Sequence, residues 1–335
     1  MQLPWETRPP TVLPWWAIDM HVHCRDEEQW RKTTIKEVLR LSRMHGIGMI
    51  IDMPNTARPV LDRDRVRERL ALVPKKEKDH YRLYVGLTDD ERQIAEALWC
   101  YDNIPEVLGL KMFADESVGS LSITEKDAQR KVYRILAKQN YFGAVLVHCE
   151  KKSLRKPWLW DPSNPISHTW ARPEESEVES VRDQIQLAME EDFRGRIHIC
   201  HVSCPQSVEL VRDARSMELL ISCGVTPHHW LWYDDIMNSQ DGLIYKMNPP
   251  LRRRELVLKL RDQVATGLVA VIETDHAKHT PEEKNCPECL SGYPSMELYG
   301  QFVREILPAS GLTPGAIRFM TRDNILRIFS DKLGL

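Results

Sequence analysis

The stretch AIDMHVH, residues 17–23, joins a short apolar run to two histidines at its end. Seven further runs of the same kind follow along the chain: IGMIIDMP (47–54), YRLYVGLT (81–88), VLGLKMF (107–113), AVLVHCE (144–150), RIHICHVS (196–203), LLISCGVTP (219–227) and VAVIETDH (269–276). Short runs that are apolar and β-branched on successive positions are typical of strands buried on both faces of a parallel sheet.

Charged amphipathic segments of helical length separate these runs. Examples are TTIKEVLRLSRMHG (33–46), DRDRVRERLALV (62–73), TEKDAQRKVYRILAKQ (124–139) and SEVESVRDQIQLAMEED (176–192). Strands that alternate with helices predict an α/β fold with a parallel sheet, and the number of eight strands favours a closed, TIM-like (β/α)8 barrel. We expect residues 1–335 to form a single barrel domain, with residues 1–16 as a short N-terminal extension.

The overall composition excludes several classes of protein. The 335 residues carry 46 basic and 49 acidic side chains, a net charge of −3, which gives no electrostatic reason to expect a nucleic acid or a membrane surface as partner. No apolar run approaches the roughly 20 residues of a membrane-spanning helix. The first residues, MQLPWETRPP, lack the pattern of a signal peptide. Several of the eight cysteines lie inside apolar runs, so we expect a soluble protein with reduced thiols in the cytoplasm.

Side chains that can bind metal stand at the ends of five of the eight apolar runs. They are His21, His23, Lys111, His148, His201 and Asp275. The carboxyl ends of the strands of such a barrel share one face, where the active site lies. His21 and His23 alternate along a strand and therefore point to the same side of it. The sequence thus predicts a metal site at the carboxyl ends of the strands.

These residue types fit a site with two metal ions. Four imidazoles are enough for two zinc-type ions at about 3.5–4 Å. A buried Lys111 would lose its charge and could react with carbon dioxide, and the resulting carbamate is an anion able to bridge two cations. Asp275 could take a proton from a metal-bound hydroxide and return it to a leaving nitrogen. Taken singly, each residue also fits a packing role, such as a surface lysine, a core histidine or a helix N-cap.

Three further features have less specific interpretations. Residues 151–173, rich in Trp and Pro, fit either a surface loop packed by its own aromatic side chains or a rim that shields a site from water. Cys286 and Cys289 form one CxxC pair without a second pair, which favours ordinary thiols over a structural zinc. His228 and His229 are predicted to be adjacent strand residues with packing roles, because neighbours on a strand point to opposite faces.

The motifs together resemble those of dihydroorotases, within the binuclear amidohydrolase superfamily. They are DMHVHCRD (19–26), MPNT (53–56), GLKMF (109–113), RPEESE (172–177), HICHVS (198–203), VTPHH (225–229), KMNPPLR (246–252) and TDHAKHT (274–280). The resemblance implies a (β/α)8 barrel. It also implies the reversible cyclisation of N-carbamoyl-L-aspartate to (S)-dihydroorotate in pyrimidine biosynthesis, with a hydroxide bridging two metal ions.

The same resemblance assigns roles to the metal ligands. His21 and His23 would hold one ion, and His148 and His201 the other. Lys111, carboxylated on its amine, would bridge the two. The ions would be divalent, with Zn²⁺ the expected metal.

It also assigns the catalytic and substrate-binding residues. Asp275 would bind the first metal and act as general acid and base. The residues that match the family's substrate contacts are Arg25, Asn55, Asn248, His279 and the backbone of Tyr293 and Pro294. Relatives with these motifs often carry a small β-sandwich beside the barrel, and we expect it to be reduced or absent in this chain.

Two alternatives to this activity stay open. Another cyclic amidohydrolase, of hydantoinase or allantoinase type, would share the metal site. A non-catalytic, dihydroorotase-like scaffold subunit would share the fold but usually lacks several ligands. The expected partners are a small anionic substrate and either a second copy of the chain or another enzyme of the pyrimidine pathway.

Overall fold

The computed structural model describes residues 15–117, 119–286 and 288–334. Eight parallel strands form one sheet in the order in which they occur along the chain. The strands are β1 (Ala17–Val22), β2 (Ile47–Asp52), β3 (Tyr81–Gly86), β4 (Val107–Phe113), β5 (Ala144–His148), β6 (Arg196–Ile199), β7 (Ile221–Val225) and β8 (Val271–Ile272). Within the described residues, every named strand belongs to this sheet.

Helices follow the strands and surround the sheet. They are α1 (Ile35–Met44), α2 (Arg63–Leu72), α3 (Glu91–Asn103), α4 (Lys126–Lys138), α5 (Ser167–Ala171), α6 (Glu174–Glu190), α7 (Pro205–Ser216), α8 (Pro227–Leu231), α9 (Arg254–Ala265), α10 (Pro281–Lys284), α11 (Met296–Gln301), α12 (Leu307–Ala309), α13 (Pro314–Arg318), α14 (Asn324–Ile328) and α15 (Ser330–Leu333). Two π-helical turns, Phe302–Ile306 and Phe319–Asp323, join α11 to α12 and α13 to α14. Short 3-10 turns occupy several of the loops.

The first and last strands meet and nearly close the sheet into a barrel. Val22 at the end of β1 forms a parallel bridge with His276, just beyond β8. The backbone N–H of His23 donates to the carbonyl of His276 at 2.9 Å. The prediction of an α/β barrel with eight parallel strands is confirmed.

Some strands end earlier than the apolar runs predict. β6 stops at Ile199 and β8 stops at Ile272. His201 and Asp275, a few residues further on, have backbone φ angles of 36° and 49°. These left-handed conformations do not continue a strand, so the ligand-bearing residues lie in the loops that leave the barrel.

The helices begin where the sequence offers capping side chains. The Thr34 hydroxyl accepts from the N–H of Glu37 at 3.2 Å at the start of α1. Asp62 and Asp90 cap α2 and α3 in the same way. Each cap satisfies a backbone N–H that has no partner inside the helix. The four predicted helical segments are confirmed, with ends that differ by one or two residues.

The C-terminal helices cover the amino end of the barrel. Ile325, Ile328 and Phe329 are buried in one apolar cluster with strand residues such as Met20 and Leu146. The Asn324 amide donates to the carbonyl of Ala270, one residue before β8, at 2.9 Å. Because this end is filled, the carboxyl ends of the strands are left for a functional site.

None of the helices in the described part of the chain is both long enough and apolar enough to cross a bilayer. All eight cysteines are free thiols, and seven of them are buried.

Candidate metal-binding active site

A cavity of about 540 Å³ opens at the carboxyl ends of the strands. Five of the six predicted metal ligands line it: His21, His23, His148, His201 and Asp275. Four of the six predicted substrate residues line it as well: Arg25, Asn55, Asn248 and His279. Side chains up to about 250 positions apart in the sequence therefore line the same cavity.

The first ligand group joins the end of β1 to the loop after β8. The Nε2 atoms of His21 and His23 lie 3.3 Å and 2.9 Å from Asp275 Oδ1. The other ring nitrogen of His23, Nδ1, lies 2.7 Å from the Asn55 side-chain oxygen, which fixes the orientation of the ring. His21, His23 and Asp275 thus present two nitrogens and an oxygen to one point.

The second ligand group joins β5 to the loop after β6. His148 Nδ1 and His201 Nε2 face each other at 3.0 Å. The ring of His201 also lies 5.0 Å from that of His21, measured between centroids. The two groups therefore form one continuous site.

Lys111 is fully buried inside β4 rather than extended to the surface. Its ammonium donates to Cys200 Sγ at 3.1 Å and lies 4.9 Å from the centroid of the Phe113 ring. Among the described ion pairs, none gives this ammonium a carboxylate partner. Lys111 is thus a buried amine next to the ligand groups and without an acidic partner among the described residues, which is the placement that a bridging carbamate would need.

Burial also sets the protonation state of the imidazoles. It lowers the pKa of His21 to about 4 and the pKa values of His23 and His201 well below their usual range. Burial raises the pKa of Asp275. Neutral imidazole is the form that donates a lone pair to a metal, so these side chains stand ready as ligands at neutral pH.

An unpartnered polar atom tests whether the residues fit metal ions. His201 Nδ1 is buried without a hydrogen-bond partner among the described residues, in an interior where most such atoms are satisfied. The first group presents two nitrogens and an oxygen and the second presents two nitrogens, donor types that Zn²⁺ prefers. The donor set therefore fits a pair of divalent ions.

A network of charged side chains lies next to His148, and the sequence did not predict it. His148 Nε2 lies 3.3 Å from Glu150 Oε2, and the Arg172 guanidinium donates both to Glu150 and, at 2.9 Å, to Asp115. Glu150 and Arg172 lie inside the VHCE and RPEESE motifs, which is a usable signal. Their pairing is visible only once the loop after β5 and the segment before α6 are placed side by side.

Glu273 is a second functional side chain that the sequence analysis missed. It lies two residues before Asp275, and its Oε2 atom is 3.3 Å from His21 Nδ1. The VIETDH motif shows an acidic residue there, but a residue just after a strand can point inward or outward. Only the folded chain shows that this carboxylate points inward.

The predicted substrate residues form a polar wall on one side of the cavity. Arg25 Nη1 donates to the Asn55 carbonyl at 2.9 Å, and Arg25 Nε is buried without a hydrogen-bond partner among the described residues. His279 Nε2 lies 2.9 Å from the Ser291 carbonyl. The Asn248 side-chain oxygen lies 3.1 Å from His168 Nε2.

Tyr293 and Pro294 are not among the described residues that line the cavity. The Tyr293 carbonyl already accepts from the backbone N–H groups of Ala277 and Ser295, each at 2.9 Å. Its ring packs against Trp232, 5.0 Å away between centroids. The structure brings Gly292 to the cavity in their place.

The Trp- and Pro-rich segment 151–173 forms part of the cavity wall. Arg155, Pro157, Trp160 and His168 from this segment line the cavity. Of the two readings of this loop, the structure favours the one that places it at the rim of the site.

The placement of His228 and His229 on a strand is wrong, because they lie in α8. Thr226 caps this helix and Pro227 occupies its first position, a combination that starts helices. His229 contacts the Thr226 hydroxyl and the Pro249 carbonyl, at 2.8 Å and 3.0 Å, which is a packing role.

The groups of described side chains that could hold a metal include neither Cys286 nor Cys289.

Comparison with known proteins shows which sequences this chain is similar to. No family model matches the chain. A dihydroorotase from Bacillus cereus (strain G9842) is 32% identical over 269 residues, which cover 80% of this chain and 60% of the relative. A dihydroorotase from Bacillus thuringiensis (strain Al Hakam) is 31% identical over 268 residues with the same coverage. The chain is a homologue of dihydroorotases. It spans about 60% of the length of these curated dihydroorotases.

Solved structures agree on the fold. An L-hydantoinase from Arthrobacter aurescens superposes with a TM-score of 0.81 at 21% identity, over 94% of this chain and 70% of that one. A dihydroorotase from Campylobacter jejuni superposes with a TM-score of 0.70 at 17% identity, over 94% of this chain and 83% of that one. At these identities the superpositions establish the barrel architecture that this chain shares with hydantoinases and dihydroorotases.

Proposed function

We propose that this dihydroorotase homologue is itself a cyclic amidohydrolase that interconverts N-carbamoyl-L-aspartate and (S)-dihydroorotate. The observation that carries the proposal is the convergence of four histidines and Asp275 on the cavity that also holds Arg25. The four histidines and Asp275 are suited to hold metal ions that promote amide hydrolysis, and the buried guanidinium of Arg25 is suited to bind an anionic ring. The sequence relationship to dihydroorotases supports the same substrate.

The metal ligands divide between two ions. His21, His23 and Asp275 would hold one divalent ion, and His148 and His201 the other. Lys111, as its carbamate, would be the shared ligand, and nitrogen and oxygen donors of this kind favour Zn²⁺. When bound, such ions lower the pKa of a water molecule and polarise an amide carbonyl.

Asp275 is the residue that moves the proton. In the hydrolytic direction its carboxylate takes a proton from the attacking water and delivers it to the ring nitrogen as the amide C–N bond breaks. In the direction of ring closure the same carboxylate takes the proton from the ureido nitrogen as the C–N bond forms and returns it to the hydroxyl group that leaves as water. Its contacts with both His21 and His23 support this role, because they hold the carboxylate among the predicted metal ligands.

Arg25 and its neighbours bind and orient the ring. A guanidinium offers five N–H donors in a planar fork. Among the described residues, the Arg25 guanidinium makes one hydrogen bond, from Nη1 to the Asn55 carbonyl. The remaining donors can grip the substrate carboxylate. Asn55, His279 and Asn248 supply further polar contacts along the same wall, and the 151–173 segment limits access of water from the other side.

A turnover assay tests the substrate. The protein, loaded with Zn²⁺, is incubated with dihydroorotate, hydantoin and allantoin, and ring opening is followed for each. We expect dihydroorotate to be hydrolysed with the highest kcat/KM. Turnover of hydantoin or allantoin alone would replace the proposal with the hydantoinase type, whose members share the fold.

Metal analysis separates the enzyme from a non-catalytic scaffold. We expect about two ions per chain after loading, by analogy with other two-metal hydrolytic sites. Fewer than one ion per chain, with no gain of activity on adding zinc, would favour the scaffold.

We further infer that residues 1–335 act as one barrel domain in the cytoplasm, as a homodimer or together with another enzyme of the pathway.

A further inference from the structure

The carboxylate of Glu273 is fully buried and lies outside the cavity lining, behind the ligand histidines. The residue directly follows β8, and its backbone N–H donates to the Val225 carbonyl on β7 at 3.1 Å. A buried carboxylate is costly unless its oxygens have partners. The partners of Glu273 are therefore informative about its role.

One carboxylate oxygen faces a ligand histidine. Glu273 Oε2 lies 3.3 Å from His21 Nδ1, whereas the other ring nitrogen of His21, Nε2, faces Asp275 at 3.3 Å. A neutral imidazole that offers the lone pair of one nitrogen carries its proton on the other. These two atoms face each other without the alignment of a hydrogen bond, but the carboxylate charge beside Nδ1 favours the tautomer that carries its proton there and leaves Nε2 free to bind metal.

The other oxygen holds a second ligand histidine through its backbone. Glu273 Oε1 accepts from the N–H of His201 at 2.5 Å. His201 has a φ of 36°, a conformation that non-glycine residues adopt only when the surroundings hold them there. This single carboxylate thus touches one ligand of each metal group.

Gly224 on β7 provides the space that this arrangement needs. A Cβ atom at this position would lie 2.4 Å from Glu273 Oε1 and 3.0 Å from His198 Nε2. Both distances are shorter than a normal contact, so any side chain at 224 would displace the carboxylate. The conformational freedom of glycine is not the reason here, since Gly224 is not among the residues with positive φ.

From these contacts we propose that Glu273 is a positioning residue of the metal site. It fixes the tautomer of His21 and the backbone of His201, and Gly224 leaves the room for it. The inference rests on the metal-binding part of the proposed function and goes beyond it by adding a residue that binds neither metal nor substrate. Carboxylates in this position behind ligand histidines raise metal affinity, and their loss costs about 10–100-fold.

A third metal ion is the competing explanation. The ligand atoms of His21, Cys200 and Glu273 all lie within 4.8 Å of one another, close enough to surround an ion. Both oxygens of Glu273 are already engaged, however, since Oε1 accepts from the His201 N–H and Oε2 also lies 3.5 Å from His198 Nε2. The geometry therefore favours a hydrogen-bonded carboxylate over a ligand.

The test compares Glu273→Gln with Glu177→Gln. Glu177 is a matched control because it is also buried and also accepts from backbone N–H groups, those of Ser203 and Cys204. Zinc stoichiometry is measured by mass spectrometry, zinc affinity by competition with a chromophoric chelator, and folding by circular dichroism. We expect two ions per wild-type chain, a dissociation constant roughly 10–100-fold weaker in Glu273→Gln, and a change of less than about threefold in Glu177→Gln.

Each outcome decides between the explanations. Folded Glu273→Gln with wild-type affinity overturns the positioning role and leaves the proposed function standing. Three ions per wild-type chain, with one lost in Glu273→Gln, overturns it in favour of a ligand. A wild-type chain that binds no zinc overturns both this inference and the proposed function.

A measurement on the wild type covers the case in which Glu273→Gln does not fold. Histidine-selective ¹⁵N NMR of the zinc-loaded protein reports which ring nitrogen carries a proton. We expect His21 to be protonated on Nδ1 and metal-bound through Nε2. Binding through Nδ1 would overturn the inference.

Discussion

Replacing Arg25 by Met should separate recognition of the substrate carboxylate from the chemistry on the ring. The Arg25 side chain is buried at the cavity, and within the described residues its one hydrogen bond, from Nη1 to the Asn55 carbonyl, leaves most of its donors free for a ligand. A carboxylate can accept two parallel hydrogen bonds from such a fork. Each hydrogen bond to a charged group contributes about 1.5–3 kcal/mol.

Two such bonds correspond to about 3–6 kcal/mol, and every 1.4 kcal/mol is a factor of ten. We therefore expect kcat/KM for dihydroorotate to fall by about 10²–10⁴ in Arg25→Met. Arg25→Lys keeps the charge but loses the planar fork, so its loss should be smaller. Dihydrouracil, the same ring without the carboxylate, should be hydrolysed at the wild-type rate, however slow, by both variants.

The assay follows ring opening by the loss of ultraviolet absorbance, with zinc content and thermal unfolding measured on each variant. An equal loss with both substrates would show that Arg25 supports the metal site or the fold rather than the carboxylate. A change of less than threefold with dihydroorotate would show that another group binds the anion. Either result would refute the reasoning.

Three further substitutions, the last with a control variant, test the metal site and the buried ion pair of Arg69 and Asp52. Asp275→Asn should keep near-normal metal content and lose turnover by at least about 10²-fold, because the amide cannot accept the proton; activity of the metal-loaded variant above a tenth of wild type would contradict this role. Lys111→Ala should lose metal by mass spectrometry and regain part of it with short carboxylic acids, whereas retention of both ions would rule out the bridging role. Arg69→Met should destabilise the protein by about 3–5 kcal/mol, because it leaves the Asp52 carboxylate buried without its cation, 2.6 Å away. With an unfolding entropy of about 0.7 kcal/mol/K for a chain of 335 residues, the melting temperature should drop by roughly 4–7 °C in calorimetry. Tyr81→Phe, which removes only one hydrogen bond to the same carboxylate, should cost less, and equal losses would argue against a charge effect.

The strands and the ligand types were accessible from the sequence because both are local properties. A buried parallel strand must be apolar on both faces, and eight such runs were enough to indicate a barrel. The histidines of AIDMHVH and the later runs could be assigned because barrel active sites form at strand ends. The ends of β6 and β8 were less accessible, because the left-handed backbone of His201 and Asp275 is a feature of the folded chain.

An error arose where a residue's neighbours decide its conformation. His228 and His229 were placed on a strand although the preceding Thr226 and Pro227 start a helix, and this capping signal was readable in the sequence. The contact of the Tyr293 backbone with substrate stays a prediction. The Tyr293 carbonyl accepts from the backbone N–H groups of Ala277 and Ser295, contacts that depend on the path of two loops.

The sequence alone determined the number of strands and which side chains that can bind metal stand near their ends, since hydrophobic period and donor chemistry belong to each segment separately. The tertiary structure decided which atoms face one another. His21 and Glu273 lie 3.3 Å apart in space and 252 positions apart in the chain. Contacts of this kind depend on the closure of the barrel and on the space left by Gly224, and no local pattern encodes them.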